Sequence, residues 1–419
     1  MQVFRIEGGR RLSGETEVQG AKNSVLPIMC ASVLCHDEVK LTRCPVISDV
    51  YAALRILTSL GCRCRLEKGC AVIDTRTLSS SDIPDMLMRL MRCSMIFMGA
   101  LVARTGECTL SFPGGCELGP RPIDMHISAL RQMGADVRED HGRLRCSARG
   151  GLHGGVINLS FPSVGATENI MLAASCAQGE TVISNAAREP EISDLAAFMR
   201  KCGADISGDG TSRIIVRGRP ATDLHGCEHR IMPDRIAAAT YLCAAAATGG
   251  DVFVRGADPR DLEAVTDLLR KSGCAVYEGR EGCAINAPER LRAVKTVRTG
   301  PHPGFPTDAQ AIVMAALSRA EGTSIFIEDI FENRFRHVDE LVRMGADIKT
   351  EGRVAVVSGV KRLSGACVEA PDLRGGAALC TAACAAEGET IITGVELIDR
   401  GYECMETSLA ELGAQIKRV

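Results

Sequence analysis

The chain has 419 residues, of which 46% are hydrophobic, and its 49 basic and 52 acidic residues give a formal net charge of −3. This predicts a globular protein of two or three domains, and the mixed charges exclude a broad basic surface for nucleic acid or an acidic membrane. The amino-terminal residues lack the apolar stretch of a secretion signal, and the longest apolar run, 236–247, is too short to cross a bilayer. We therefore expect a cytoplasmic protein that binds neither nucleic acid nor membrane.

The chain contains 20 cysteines. In a reducing compartment these are not a disulfide framework, and most of them lie among Ala, Leu and Met, where free cysteine packs as a small hydrophobic residue. No Cys-x-x-Cys pair occurs, and His225, Cys227 and His229 alternate on one short segment without a second ligand pair. We expect no metal and no other cofactor.

In chain order, one pattern recurs in which a helix ends at a glycine and a strand follows. The glycines are Gly61, Gly134, Gly203, Gly273, Gly345 and Gly413, and they are 73, 69, 70, 72 and 68 residues apart. Glycine suits the left-handed position that closes a helix, and the alternating residues after it suit a half-buried strand. The spacing predicts six copies of one α/β unit.

Each copy contains two predicted helix starts, at which Pro, Ser, Thr, Asp and Asn cluster as capping preferences require. The first set reads GAKNSVLPI, LMRCSMIF, FPSVGATENI, MPDRIAAAT, FPTDAQAIV and APDLRGGAAL. The second set reads CPVISDV, GPRPIDMHI, AREPEISDL, ADPRDLEAV, FENRFRHV and LIDRGYECM. A further strand is predicted wherever an Ala-rich run ends in a segment such as QGETVI or EGETII.

Five cations fall near these helix starts, namely Lys22, Arg92, Arg121, Arg334 and Arg400. A cation there opposes the helix macrodipole and costs a few tenths to about 1 kcal/mol if it is left alone. With a bound phosphate or carboxylate, the same cation would become favourable at that position. The alternative is that some of them pair with neighbouring acids, as Arg334 could with Glu332. Five such positions in a repeat protein favour a shared anion site.

Motifs spread over the whole chain resemble the enolpyruvyl transferases that act on UDP-N-acetylglucosamine. They are GAKNSVLPI, FPGGCELGPRPIDMHI, SVGATENIM, NAAREPEI, PHPGFPTDAQA, ENRFRHVDEL, DLRGGAAL and IDRGYE. The resemblance implies an inside-out, or inverse, α/β barrel of two domains with three units each, which close over the substrates. One domain would be 22–230, with the cysteine loop and most nucleotide contacts. The other would be 1–21 with 231–419, and would carry the general base.

The implied reaction transfers enolpyruvate from phosphoenolpyruvate to the 3-hydroxyl of UDP-N-acetylglucosamine. By resemblance Cys116 protonates the methylene carbon, and Asp308 is the base near the sugar hydroxyl. Binding of phosphoenolpyruvate falls to Lys22, Asn23, Arg121 and Arg400, of which Lys22, Asn23 and Arg400 also count as catalytic. From the residues alone, Cys116 lies on a Gly-rich loop where a cysteine need not be reactive, and Asp308 could be a helix cap.

The resemblance also implies the residues that bind UDP-N-acetylglucosamine. They are Arg92, Arg121, Pro122, Ile123, Asp124, Met125, Ser163, Val164, Gly165, Asp308 and Ile330. The chain departs from the pattern at Phe161, where some relatives carry a lysine, so a phosphate contact is lost there. His126 is open between a ligand role and local packing, and Arg374 is expected beside Asp372.

Two alternatives remain. The shikimate-type enolpyruvyl transferases share the inverse barrel, but they have different substrate motifs and no cysteine in this loop. A non-catalytic paralogue that binds a UDP-sugar would be expected to lose the acid, the base or the cations, whereas Cys116, Asp308, Lys22, Arg121 and Arg400 are all present.

Overall fold

The structure, a computed structural model, describes residues 2–111 and 123–419, without the side chains of Arg92 and Cys93. The roles predicted for Cys116, Arg121 and Pro122 lie outside the described residues, as does the side chain of Arg92. The described chain divides into two compact units. The inserted unit runs from Gly20 to Met232, and the split unit joins the residues up to Gln19 to Pro233–Val419.

The α-helices are α1 (Lys22–Ala31), α2 (Ser48–Ser59), α3 (Asp85–Met88), α4 (Phe97–Thr105), α5 (Asp124–Gln132), α6 (Val164–Ala174), α7 (Pro190–Lys201), α8 (Arg235–Thr248), α9 (Pro259–Lys271), α10 (Thr307–Leu317), α11 (Val338–Arg343), α12 (Leu373–Ala385), α13 (Val395–Ile398) and α14 (Met405–Glu411). Short 3-10 helices span Ser32–Leu34, Arg92–Ile96 and Ala221–Asp223. A helix begins at or near every predicted start, so that prediction is confirmed.

The strands of the inserted unit are β3 (Glu38–Thr42), β4 (Arg63–Glu67), β5 (Cys70–Asp74), β6 (Glu107–Ser111), β7 (Asp136–Asp140), β8 (Arg143–Ser147), β9 (Val156–Asn158), β10 (Glu180–Ser184), β11 (Asp205–Ser207), β12 (Arg213–Arg217) and β13 (Glu228–Arg230). They form three sheets, in the orders β13-β3-β5-β4, β6-β8-β7 and β11-β12-β10-β9. The last strand, β13, pairs in parallel with the first, β3, and so ties the end of the unit to its beginning.

The strands of the split unit are β1 (Phe4–Glu7), β2 (Ser13–Glu17), β14 (Asp251–Arg255), β15 (Ala275–Gly279), β16 (Gly282–Asn286), β17 (Thr296–Arg298), β18 (Thr323–Ile327), β19 (Asp347–Glu351), β20 (Val354–Ser358), β21 (Cys367–Glu369), β22 (Glu389–Thr393) and β23 (Gln415–Arg418). Their sheets have the orders β15-β16-β14-β2, β17-β18-β20-β19 and β21-β22-β1-β23. Strand β2 therefore borders one sheet, while β1 lies inside another, between β22 and β23.

Each unit has its helical core inside and its sheets outside. In the split unit α8, α10 and α12 pack against one another, and α8 is buried from Ile236 to Ala247. A helix that is apolar all round belongs in a core, and its alanines let the neighbouring helices approach closely. In the inserted unit α4 packs against α6 and α1 in the same way. This arrangement is the predicted inverse α/β fold.

The predicted repeat is confirmed at its glycines. All six close a helix with positive φ, between 88° and 101°, a conformation that side chains rarely adopt. Within the described residues, no helix is long and apolar enough to cross a membrane. The same part of the chain brings no three metal-ligating side chains together.

Candidate active site

Asp308 lies in the first turn of α10, and each of its carboxylate oxygens accepts a hydrogen bond from a different arginine. Nη2 of Arg334 donates to Oδ1 at 2.8 Å, and Nη2 of Arg374 donates to Oδ2 at 3.0 Å. Both arginine side chains are 3% exposed, whereas that of Asp308 is 27% exposed. The residue before α10 is Pro306, and no side chain caps this helix, so the interpretation of Asp308 as a helix cap is wrong.

Arg374 is fixed by the first turn of α12. Asp372 caps that helix by accepting from the backbone N–H groups of Arg374 and Gly375, at 2.9 and 3.0 Å. Nη1 of Arg374 donates to the hydroxyl of Tyr402 at 3.2 Å, and this hydroxyl also lies 2.8 Å from Oγ1 of Thr240. Burial alone would lower the pKa of Arg374, but the Asp308 carboxylate and other nearby acids raise it overall, so the guanidinium stays charged.

Arg334 lies just before α11 and reaches back to the start of α10. The alternative that it pairs with Glu332 is wrong, because Glu332 binds Arg353 at 3.2 Å on the surface. The Arg334 guanidinium instead holds Asp308 and lies over the ring of Phe331, 5.6 Å from its centroid. The sequence separation of 26 residues between Asp308 and Arg334 explains why local reasoning did not find this partner.

Glu328, which is completely buried, joins α10 to the segment that carries Ile330. Its Oε2 accepts from the hydroxyl of Thr307 at 3.0 Å. Its Oε1 accepts from the backbone N–H groups of Ile330 and Phe331, at 2.9 and 3.1 Å. One carboxylate therefore fixes the predicted sugar contact, Ile330, relative to the residue that precedes Asp308.

Arg400 was predicted near a helix start but lies just after the end of α13, in a turn that leads to α14. Its neighbours in sequence are held firmly. Asp399 binds Arg418 at 2.7 Å, and Gln19 accepts from the backbone N–H of Glu403 at 2.7 Å and donates to the carbonyl of Gly401 at 2.9 Å. Arg400 therefore extends from a backbone segment that is fixed on both sides.

In the inserted unit, Lys22 is the first residue of α1. Its Nζ lies 2.8 Å from Oδ2 of Asp49, which comes from the first turn of α2. The Lys22 side chain is 12% exposed and that of Asp49 only 4%. This carboxylate offsets the unfavourable position of a cation at a helix start. Sequence reasoning placed Asp49 at a helix start but assigned it no role.

The residues that follow Lys22 and Asn23 are held by a second acid. Asp194 of α7 accepts from Oγ of Ser24 at 2.5 Å and from the backbone N–H of Met232 at 3.2 Å. Its other oxygen lies 2.9 Å from Nε2 of His229 in β13. The first turn of α1 is thus joined to α7, to β13 and to the end of the inserted unit by one carboxylate.

The predicted nucleotide residues of the inserted unit lie at two helix starts. Ile123 precedes α5, Asp124 is exposed at its first position, and Met125 packs partly into the core. Ser163 caps α6 by accepting from the N–H of Ala166 at 3.3 Å, and Val164 and Gly165 form the first positions of that helix. Phe161 is 41% exposed beside this start. First-turn N–H groups of a helix suit an anion.

His126 lies between these two helix starts. Asn169 accepts from the backbone N–H of Gly99 at 2.7 Å, so its amide nitrogen faces Nδ1 of His126 at 2.9 Å as a donor. A side chain at Gly165 would come within 3.4 Å of the His126 ring. Burial lowers the pKa of His126 to about 4, so the ring is neutral at pH 7. Local packing therefore accounts for His126.

The arrangement offers two kinds of chemistry. In the split unit, two guanidinium groups stabilise the ionised form of a carboxylate that keeps access to solvent, and an ionised carboxylate can accept a proton. In the inserted unit, an ammonium group and two helix starts provide favourable positions for anions.

The family model of EPSP synthase (3-phosphoshikimate 1-carboxyvinyltransferase) matches residues 6–409. The chain is 49% identical, over the full length of both proteins, to UDP-N-acetylglucosamine 1-carboxyvinyltransferase 2 of Caldanaerobacter subterraneus subsp. tengcongensis. It is 47% identical, again over both full lengths, to UDP-N-acetylglucosamine 1-carboxyvinyltransferase of Zymomonas mobilis. The crystal structure of the enolpyruvyl transferase NikO from Streptomyces tendae superposes with a TM-score of 0.89 at 24% identity, covering 100% of this chain and 99% of that one.

Proposed function

The chain belongs to the enolpyruvyl transferase family, and we propose that it transfers the enolpyruvyl group of phosphoenolpyruvate to the 3-hydroxyl of UDP-N-acetylglucosamine, releasing phosphate. This would be the first committed step of peptidoglycan precursor synthesis. The observation that carries the proposal is the Asp308 carboxylate, held by two buried arginines and still open to solvent. The full-length relatives carry UDP-N-acetylglucosamine in their names, which supports this acceptor.

The chemistry needs a base, an acid and cations. The oxygen of the sugar's 3-hydroxyl attacks the central carbon of phosphoenolpyruvate, and Asp308 takes the proton of that hydroxyl. Cys116 gives a proton to the methylene carbon. Loss of a proton from the new methyl group then expels phosphate from the tetrahedral intermediate. Lys22, Arg121 and Arg400 bind the phosphate and carboxylate of phosphoenolpyruvate, and Asn23 helps to hold the intermediate.

The proposal divides these tasks between the predicted domains. Residues 22–230 supply Cys116 and most of the nucleotide contacts, namely Arg92, the segment 121–125 and the start of α6 at Ser163, Val164 and Gly165. The other predicted domain, 1–21 with 231–419, supplies Asp308 and Ile330. The rigid support of Ile330 by Glu328 is consistent with a contact that positions the sugar.

The second candidate is the shikimate-type reaction, for which the matching family model is named. The motifs GAKNSVLPI and PGGCELGPRP disfavour it, as does the high identity to relatives that carry the other name. The test is phosphate release from phosphoenolpyruvate in the presence of UDP-N-acetylglucosamine or shikimate 3-phosphate. Release that needs only the first acceptor supports the proposal, and release that needs only the second overturns it.

The acid is tested by Cys116→Asp and Cys116→Ser. A carboxylic acid keeps its proton only at lower pH than a thiol does, so the Asp variant should stay active with its optimum moved to lower pH. A hydroxyl is a far weaker acid, and the Ser variant should be poor at every pH. A fully active Ser variant, or an Asp variant that is inactive throughout, would exclude Cys116 as proton donor.

A further inference from the structure

Two cysteines of the inserted unit lie in contact at the end of α7. Cys202 caps the carboxyl end of that helix, and Cys227 directly precedes β13. Their Sγ atoms are 3.4 Å apart. The backbones are also joined, because the N–H of His225 donates to the carbonyl of Cys202 at 3.0 Å. The two thiols are therefore held together by the fold, although 24 residues separate them in the chain.

The two thiols differ in their access to solvent. Cys202 is 3% exposed and, together with Cys35, borders a small apolar cavity between α7 and the end of α1. Cys227 is half-buried, with exposed residues at His225 and Glu228. Cys227 is therefore the more accessible of the two thiols to a reagent in solution.

The pKa values of the two thiols also differ, in a direction that agrees with their difference in access to solvent. The thiols of Cys202 and Cys227 share a hydrogen bond, and this bond together with the nearby Lys201 cation holds the pKa of Cys227 below its usual range in spite of burial. The same bond raises the pKa of Cys202. A thiolate is the nucleophile in thiol–disulfide exchange. Because Cys227 is also the more exposed of the two, it is the attacking sulfur, and Cys202 is the second sulfur that completes the exchange.

We propose that Cys202 and Cys227 form a redox-active dithiol site that small-molecule disulfides convert into an intrachain disulfide. The Cys227 thiolate attacks one sulfur of the reagent, forms a mixed disulfide and expels one thiolate. The sulfur of Cys202 then attacks Sγ of Cys227 and expels the second thiolate. The thiol protons of the two cysteines leave with the two released thiols, and the two electrons reduce the reagent. The Sγ atoms must approach by roughly 1.4 Å to reach disulfide length.

The Cys202 and Cys227 pair differs from another pair of neighbouring cysteines in that one of its thiols is partly exposed. Cys108 and Cys146 lie directly opposite each other on β6 and β8, but both are buried, and burial raises the pKa of Cys146 to about 12. Thiols of this kind are unreactive. The Cys202 and Cys227 site also gives a role to part of the segment LHGCEHR, in which His229 is engaged by Asp194.

The experiment uses the whole chain, reduced and then exposed to oxidised glutathione, alkylated, digested with trypsin and analysed by mass spectrometry without reduction. Each sulfur falls in a different peptide with a single cysteine, 202–213 and 218–230, because the Arg219–Pro220 bond resists trypsin. We expect a linked pair that is lighter than the two peptides by two hydrogen atoms and that a reductant separates. Other thiols, including Cys116, report separately in their own peptides.

Variants separate the two steps. Cys202→Ser should stop at the glutathione mixed disulfide on Cys227, and Cys227→Ser should show neither the link nor glutathione on Cys202. The matched control, Cys108→Ser with Cys146→Ser, should form the link as the unaltered chain does. A mixed disulfide on Cys227 that never resolves in the unaltered chain would overturn the proposal, as would a Cys35 to Cys202 link or full alkylation of both sulfurs.

Discussion

The ion pairs at the candidate site differ between the two units in which charge is the more buried. In the split unit the buried members are cations, since Arg334 and Arg374 are 3% exposed while Asp308 is 27% exposed. In the inserted unit the more buried member is the anion, since Asp49 is 4% exposed and Lys22 is 12% exposed. The more exposed member of each pair decides what the pair can bind or accept. The split unit presents a carboxylate suited to a base, and the inserted unit presents an ammonium group suited to an anion.

The largest effect is expected from removing the outward carboxylate of the split unit. Asp308→Ala leaves two buried guanidinium groups without their shared partner, which should lower the free energy of unfolding by about 3 kcal/mol. Under the proposed function it also removes the base and should lower kcat/KM by about 100-fold or more. Urea unfolding and phosphate release measure the two effects. Glu332→Ala, which breaks only the exposed pair with Arg353, is the control and should change stability far less.

The second test concerns buried histidines with a lowered pKa, of which His126 lies in the inserted unit and His337 in the split unit. Burial lowers the pKa of His126 and of His337 to about 4, below the ordinary value of 6.5. As pH falls from 6.5 to 4, the unfolded chain takes up these protons and the folded chain does not, so stability is lost in that window and is complete above it. His126→Gln should reduce the loss between pH 7 and pH 4 by roughly 2 kcal/mol. The control is His225→Gln, at an exposed position. If the free energy of unfolding depended on pH equally in the two variants, burial of His126 would not be the cause of the loss.

The third test is a double-mutant cycle on the inserted unit with Lys22→Ala and Asp49→Ala. Because both side chains are mostly buried, we expect a coupling energy of roughly 1.5 kcal/mol in urea unfolding. The exposed Lys40 and Glu228 pair in the same unit, 3.0 Å apart, is the control and should give no resolvable coupling. Similar coupling in the two cycles would show that the Lys22 pair is screened like a surface pair.

The smallest effect concerns support of the split unit's arginine. Tyr402→Phe removes the hydroxyl that Arg374 and Thr240 share, and it should cost about 1 kcal/mol of stability. Without this hydroxyl, Arg374 is held less firmly, and so is the Asp308 carboxylate that it binds. If Asp308 acts as the base, the variant should lower kcat more than it changes KM for the nucleotide. Tyr277→Phe, at a site that is 65% exposed, is the control. A Tyr402 variant with unchanged stability and kcat would exclude a supporting role.

Local features of the fold were predictable from sequence because their causes are local. A glycine at positive φ and a capping residue act within one turn, so the six glycines and the helix starts could be read directly. The partners of the site carboxylates could not be predicted, since Arg374 lies 66 residues from Asp308 and Ser24 lies 170 residues from Asp194. The sequence therefore predicts a shared anion site for the cations near helix starts, with pairing to neighbouring acids as the alternative. Lys22 and Arg334 do contact carboxylates of the chain itself, from Asp49 and Asp308.

The position of β1 inside the last sheet has a consequence for the order in which the chain folds during synthesis. Residues 4–17 are synthesised long before their partners, because β1 pairs with β22 and β23 and β2 pairs with β14, which are made hundreds of residues later. The inserted unit, in which the described strands pair only with one another, can fold while synthesis continues. Strand β2 must wait as unpaired chain for β14, and β1 must wait until the final sheet can form around it, so we expect the split unit to be the slower of the two to fold.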